Sequence, residues 1–502
     1  MKTASRLEQG AGASSSAQAG SAHHAHFARA LHHAIGFRNA LTDGPPRPTC
    51  PAAELHRRFD GPTPEAGEDG VSVIDSLAWA AEPGLSGVGG TRFFGWVVGA
   101  SHPVGVAADM MTSAWGQNAG NYALAPSAAM AEKVSSRWLL NILRLPPECS
   151  VGFVTGATMA SFVCLAAARN AVLARVGWDV EEAGLTGAPA VRLFLGAEAH
   201  STITSALRYL GFGARTAVIP CDAEGRMDAD ALSAALAVGN GPAIVMAQAG
   251  QINTGAFDPM PAIAEACRAH GAWLHVDGAF GLWARAVPEM EPLTAGLDQA
   301  DSWSTDGHKW LQLPYDCGFA IVRDRGVHRA AMSIVASYLP PAADDEYDPA
   351  QFAPELSRRA RGFAVWAMLR TLGRQGVIEM VRRHCALARR LAERLAGEAG
   401  VRVINSVVLN QVIVGFGEGP ADERDAATRA VIAQLQEENV CFAAGASWRD
   451  RWVLRFSIIS GPLTPADIDR LAGAVLHAWR LVRNRKHANT DVLVMQDQEE
   501  AR

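Results

Sequence analysis

One lysine in this chain stands where an amine could do covalent chemistry. Lys309 lies in DSWSTDGHKWLQLPYDCGF (Asp301 to Phe319), between His308 and Trp310, after small polar residues that suit a turn. A lysine so flanked can be stripped of water, which lowers its pKa and makes the amine nucleophilic toward an aldehyde. Lysine is scarce, at Lys2, Lys133, Lys309 and Lys486 only, and of these Lys309 alone falls within the predicted α/β core, the large domain 141–375 described below. A surface lysine is the plain alternative. Four other turns carry matching chemistry. Asp277, in WLHVDGAFG, ends an apolar run, where a carboxylate could keep a ring nitrogen protonated; an ordinary turn aspartate before Gly278 would look the same. Thr155-Gly156-Ala157-Thr158 joins a short strand to an apolar helix, and a helix N-terminus with a glycine beside it suits a phosphate. His200, in GAEAHSTITSALRYLG, follows another apolar run, where an imidazole could cover a flat ring or simply cap a helix. Ala249 to Pro259, AGQINTGAFDP, is a further polar turn with two glycines.

An amine for an aldehyde, an anion for a ring nitrogen and a cradle for a phosphate are together what pyridoxal 5'-phosphate (PLP) requires of a protein. These groups must be carried to one place. Short apolar runs alternate with helical stretches from Gly152 to Val276, with strands at 152–155, 190–195, 216–220, 243–247 and 272–276 and helices at 159–174, 202–210, 229–238 and 261–270. This predicts an α/β fold, a mainly parallel sheet with helices on both faces, whose ligands bind beyond the carboxyl ends of the strands. Residues 27–140 read as a helical segment, 141–375 as the large domain and 376–483 as a small α+β domain. That small domain opens on a long amphipathic helix through Val377, Val381, His384, Leu391 and Leu395. Residues 1–26 and 484–502 read as a disordered tail and a polar, frayed tail.

Bulk properties exclude other classes. The formal net charge of −6, without a basic stripe, gives no footprint for nucleic acid. Eight cysteines without a C-x-x-C pair argue against structural zinc and for a reducing, cytoplasmic setting. His23, His24 and His26 read as part of a solvated tail, so no metal is expected. The uncharged windows 149–168 and 231–257 are broken by Gly, Thr, Ser, Gln or Asn and read as strand–turn–helix pieces, not membrane spans.

From about Arg92 to Leu476 the chain resembles the group II PLP-dependent decarboxylases, which include aromatic-L-amino-acid and glutamate decarboxylases. DGHKWLQLPYDCGF, WLHVDGAFG, GQINTGAFDP, GAEAHST and ELSRRARGFAVW (Glu355 to Trp366) carry the resemblance. It implies the aminotransferase-like type I fold and a homodimer with its active sites at the interface, to which the segment Phe93 to Asn121 contributes. It implies that Lys309 binds the cofactor aldehyde, Asp277 pairs with the ring nitrogen and His200 stacks on the ring. By the same resemblance, Ala157, Thr158, Asp306 and His308 hold or neighbour the phosphate, and Ala279 packs on the ring. The reaction it implies is decarboxylation of an L-amino acid, aromatic before acidic or diamino; an aldehyde synthase, another lyase of this fold, or a non-catalytic PLP-binding protein are the rivals. An acidic substrate would want an arginine, for which Arg92, Arg208, Arg358 and Arg359 are candidates. Tyr347, in the stretch Ser337 to Leu356 that resembles a mobile loop, is the expected proton donor, with Tyr338 nearby. The chain departs from the family at Gln251-Ile252, where paired threonines are usual, and at Gly307, where alanine or proline is usual.

Overall fold

The apolar runs become strands because they can be buried on both faces, and two less obvious segments join them. The computed structural model describes residues 8–213, 215–334 and 347–500, and side chains for those of them between 23 and 485. The large sheet holds β1 (Ser150–Val154), β2 (Arg192–Gly196), β3 (Ala217–Ile219), β4 (Ala243–Gln248), β5 (Trp273–Asp277), β6 (Ser302–Asp306) and β7 (Gly318–Val322), in the order β1-β7-β6-β5-β4-β2-β3. From β3 to β6 all neighbours are parallel, while β7 runs antiparallel to both β6 and β1. β1 therefore points the same way as β6. The carboxyl ends of β1, β2, β4, β5 and β6 share one edge, where such sheets bind ligands.

β6 is the segment that composition misread. SWSTD looks like a turn, yet all five residues are buried. Its hydroxyls are used internally: Ser302 Oγ accepts from Trp273 Nε1 (2.9 Å) and Ser161 donates to Ser304 (3.0 Å). A buried polar strand is tolerated when its polar atoms are paired. The helix Ala157–Ala174 lies against this face, with Val163, Cys164, Leu165 and Ala167 fully buried. Among the described residues it alone is long and apolar enough to cross a membrane, but 67% of it is buried inside the protein, as for a core helix.

A second sheet, order β10-β11-β9-β8, is antiparallel throughout and is formed by β8 (Val401–Val403), β9 (Gln411–Phe416), β10 (Ala444–Trp448) and β11 (Arg451–Ser457). The helix Gly362–Ala396 leads into it and breaks at Gly373, whose φ of 58° favours glycine. Beyond the break the expected stripe, Val377, Val381, His384, Leu391 and Leu395, is buried.

By its contacts the chain divides into two units, residues 1–93 with 436–442, and residues 94–435 with 443–502. The division at Phe93 replaces the expected boundary at 140. The helices Pro103–Trp115 and Pro126–Ile142 pack along Gly362–Ala396 and so belong with the sheets. Within the first unit the helices are Glu8–Ala40, Ala52–Phe59 and Gly70–Ala81; His33 Nε2 and Arg29 both meet Asp75 (2.8 Å for His33), and Asp69 caps the third helix through Ser72 N–H. Both tails differ from expectation. Residues 8–26 begin the first helix, since alanine favours helix even in a polar stretch, and the last helix, Pro465–Glu500, runs through 484–500 without a glycine or proline to stop it.

Candidate active site

Five strand ends deliver the expected residues to one cavity of about 380 Å³. Asp277 is the last residue of β5, level with Gln248 of β4 and Ser304 of β6. Asp306 ends β6, and the chain then turns through Gly307, His308 and Lys309. Thr155 and Gly156 follow β1 and open the helix Ala157–Ala174. His200, four residues past β2, is the N-cap of Ser201–Tyr209. The cavity is lined by Ala157, Thr158, His200, Asp277, Ala279, Asp306, His308 and Lys309, together with Gly156, Thr202, Gln248, Ile252, Phe280 and Tyr315 among others.

Hydrogen bonds set the protonation of the histidines. His200 Nδ1 accepts the Thr202 N–H (3.3 Å) and lies 2.8 Å from its hydroxyl, so the proton of the neutral ring is on Nε2. Burial lowers the His200 pKa, opposed by the nearby Asp277 carboxyl. His308 Nδ1 accepts the Cys317 N–H (3.1 Å), which leaves its Nε2 facing Asp306 Oδ1 at 3.4 Å; Tyr315 stacks on the ring at 4.2 Å. Burial keeps His308 below its ordinary value as well.

The carboxylates have different partners. Asp306 accepts the Ala157 N–H through Oδ1 (2.6 Å) and holds Lys309 Nζ through Oδ2 (3.0 Å). It therefore borders the phosphate cradle while orienting the amine. Asp277 accepts the Ala279 N–H (3.1 Å), and burial raises its pKa against the pull of His200 and Lys309. A protonated ring nitrogen beside Asp277 would relieve that cost, and its chemistry asks for one. Gly156 makes room at the opposite end: a Cβ there would sit 3.0 Å from His308 Cε1 and 3.3 Å from Asp306 Oδ1. The N–H groups of Thr158 and Met159 belong to the first helical turn, where no intrahelical acceptor exists. The donor set and the space between these ends fit PLP.

Tyr347 is a correction. Its ring is buried on Phe352 (5.4 Å between centroids) and its hydroxyl donates to Val151 O at 3.1 Å, away from the cavity. Burial pushes its phenol well above the usual range, unsuited to giving up a proton. Spacing to the Ser357-Arg358-Arg359 segment could not show that Tyr347 belongs to a core cluster with Ala129 and Phe352. Tyr338 lies outside the described residues. The arginine candidates also stand elsewhere. Arg358 is buried on Glu132 (2.8 Å), Arg359 pairs with Asp109 (2.7 Å), Arg208 packs over Tyr209, and Arg92 binds Asp43 O (2.9 Å) in the first unit. Sequence reasoning missed Gln248, Thr202, Phe280, Tyr315 and Arg455. Arg455, on β11, is buried beside His200 and meets Ile252 O (3.4 Å) and Asn253 Oδ1 (3.3 Å). The strand-end position of Gln248, shared with Asp277, was its available signal.

The chain is similar to tryptophan decarboxylase 1 of Oryza sativa subsp. japonica, 29% identical over 415 residues, covering 77% of this chain and 80% of that protein. It is also similar to an acidic amino acid decarboxylase of Mus musculus, 30% identical over 325 residues, covering 62% of this chain and 58% of that one. In fold it matches the crystal structure of Oryza sativa TDC with PLP and tryptamine, with a TM-score of 0.83 at 24% identity, over 90% of this chain and 97% of the other. The profile of the pyridoxal-dependent decarboxylase conserved domain matches residues 53–416, and the chain belongs to the family of PLP-dependent amino-acid decarboxylases.

Proposed function

We propose that this enzyme decarboxylates an aromatic L-amino acid, with Lys309 as the residue that carries the cofactor. The observation that carries the reading is the convergence of Lys309, Asp277 and His200 on one cavity beside a helix N-terminus. Bound PLP supplies the electron sink that lets the bond from Cα to the carboxylate break. The chain supplies the rest. Asp277 places a buried carboxyl on the cavity, and the Thr158 N–H at the helix N-terminus suits a phosphate. His200 presents a neutral ring fixed by Thr202, and Ala279 lines the same cavity. Asp306 holds the Lys309 amine at the wall of the cavity.

Two features support an aromatic side chain. Ile252, Phe280 and Tyr315 offer apolar wall, and no arginine is among the described residues that line the cavity. The similarity to a tryptophan decarboxylase points the same way, that to an acidic amino acid decarboxylase the other. A second reading, oxidation by dissolved O2 to aldehyde, CO2, ammonia and hydrogen peroxide, is favoured by one fact: Tyr347 does not reach the cavity of its own chain. Incubating the PLP-loaded protein with a panel of L-amino acids while measuring CO2, amine, ammonia and peroxide separates these outcomes. The proposal expects CO2 and amine in equal amounts from tryptophan or tyrosine. Turnover of glutamate or aspartate alone defeats the aromatic assignment, and peroxide with aldehyde in place of amine selects the second reading.

The active form in this proposal is a homodimer in the cytoplasm. Phe27, Leu31 and Ile35 recur at helical spacing on the first helix and are exposed, and in the other unit Met110, Met111 and Trp115 are exposed on Pro103–Trp115. Contiguous apolar stripes of this kind suit a second copy of the chain. Eight cysteines without a disulfide suit a reducing compartment. A fully active monomer in light scattering at working concentration would remove the dimer.

A further inference from the structure

Gln312 lies three residues past Lys309, between Leu311 and Leu313, and is only 1% exposed. Its backbone is left-handed, with φ of 59°. A residue with a side chain pays for that conformation and keeps it only where its surroundings hold it. Here the amide is the holder. Oε1 accepts the Ala100 N–H (2.9 Å) and the Gly461 N–H (3.2 Å). Nε2 faces the carbonyls of Ile459 (2.8 Å), Lys309 (3.1 Å) and Trp310 (3.2 Å). An amide has two hydrogens and two carbonyl lone pairs, so every valence is in use, with one hydrogen shared between two adjacent carbonyls. Turning the amide over would set its oxygen against three carbonyl oxygens, so the network fixes its orientation.

Three further contacts act on the same turn. His102 N–H donates to Gln312 O (2.7 Å), and Gly99 packs so closely that a Cβ there would lie 2.3 Å from His308 O and 2.4 Å from Lys309 O. Trp310 Nε1 donates to His384 Nδ1 (3.0 Å), which forces the His384 proton onto Nε2, where it reaches Ser460 O (3.1 Å). The lysine turn is thus tied by two different side chains to residues 459–461, just past β11, and by backbone contacts to residues 99–102.

We propose that Gln312 is a positioning residue for Lys309: it clamps the lysine main chain against segments 99–102 and 459–461, so that the pose of the amine depends on the packing of both. The proposal rests on the reading of Lys309 as the cofactor-bearing residue. A long flexible side chain is only as well placed as its Cα, and small misplacements of a reacting group are costly. Gln312 does not line the cavity, so it acts through Lys309.

The test uses the purified holoprotein and the substitutions Gln312→Met, which cannot donate to the three carbonyls, and Gln312→Glu, which when protonated has only one hydrogen to give them. The readouts are the PLP dissociation constant, the pH titration of the visible band of lysine-bound cofactor, kcat and KM. Expected are a dissociation constant raised about tenfold or more, a shifted titration, and kcat lowered about tenfold to a hundredfold with KM little changed. Variants that melt at a lower temperature but keep the wild-type dissociation constant, titration and kcat overturn the proposal. Should neither variant fold, hydrogen exchange of the wild type decides. Adding PLP to apoprotein should slow exchange at the Ala100 and Gly461 amides, and unchanged exchange overturns the proposal too. Borohydride treatment of the wild type keeps the two claims apart. Failure to fix cofactor on the Lys309 peptide removes the reading of Lys309, whereas a labelled wild type with unaltered Gln312 variants removes only the clamp.

Discussion

Two buried groups of opposite charges lie in the unit that holds the sheets, and they are finished differently. In one, Arg358 meets Glu132 at 2.8 Å, donates to Ala119 O (2.8 Å) and Phe153 O (2.6 Å), and both side chains are 1% exposed. Burial still raises the Glu132 pKa despite its partner, and Glu132 Oε2 and Arg358 Nε have no hydrogen-bond partner among the described residues. In the other, Asp277, Asp306, Lys309, His200 and His308 surround a cavity; Asp306 and Lys309 pair, and the Asp277 carboxyl accepts a single backbone N–H. A buried charge costs several kcal/mol unless matched. The first group pairs its two charges with each other, with no cavity between them. In the second Asp277 faces open space and is left for something else to match, the mark of a binding site and not of a structural ion pair.

The contrast breaks most sharply at Asp277. Asp277→Asn should lower turnover about 10²–10⁴-fold, the scale of a group that sets a protonation state in catalysis. The same change should leave the melting temperature of the apoprotein unchanged or raise it, because a poorly matched carboxyl is gone. Loss of folding with normal turnover per folded molecule would put Asp277 with the structural group. Arg358→Met should do the converse. Leaving Glu132 buried without its partner costs about 3–5 kcal/mol, read by chemical denaturation, and the paired change with Glu132→Gln should recover part of it. PLP affinity of the folded fraction should not move.

pH sharpens the comparison further. His275, His328 and His384, all buried outside the cavity, are pushed down to about 3 by burial. Between their folded value and the unfolded value near 6.5, the unfolded chain binds more protons. Their contribution to stability is therefore whole above about pH 6.5 and is lost as pH falls, at up to about 1.4 kcal/mol per unit for each. Asp258, raised to about 6 by burial, acts in the opposite sense between about 3.8 and 6. His200 and His308, also lowered by burial, act with these three, while Glu132, Asp277 and Asp301, raised by burial, act with Asp258. The expected outcome is that the histidines prevail and the urea midpoint drops from pH 7 to pH 5; a flat or rising midpoint would contradict this. The smallest effect belongs to Tyr347→Phe. It removes a buried hydroxyl bonded to Val151 O, for about 1 kcal/mol of stability, with turnover within about twofold of wild type. A collapse in turnover would restore Tyr347 to the chemistry.

What could be read from residues alone divides along physical lines. Parallel strands announced themselves because apolar runs have few alternatives, and Lys309, Asp277, His200 and the Thr155–Thr158 turn were found because strand ends at one edge converge. β6 was not legible, since its serines and threonine read as a turn until Trp273 and Ser161 are seen to occupy them. Tyr347 misled because distance along the chain does not say which way a ring points. The unit boundary at Phe93 was hidden by the helix Gly362–Ala396, which gathers two distant helices to the sheets.

The reversed direction of β7 has one more consequence. Residues 307–317 leave the sheet from β6 and re-enter it in the adjacent β7, level with their point of departure, since Asp306 pairs with Gly318. Both stems are locked in the middle of the sheet, so this excursion has a fixed span. Shortening or lengthening it by even one residue would transmit the error to the amine at its crest, and a protein engineer should vary the rim around this segment before altering its length.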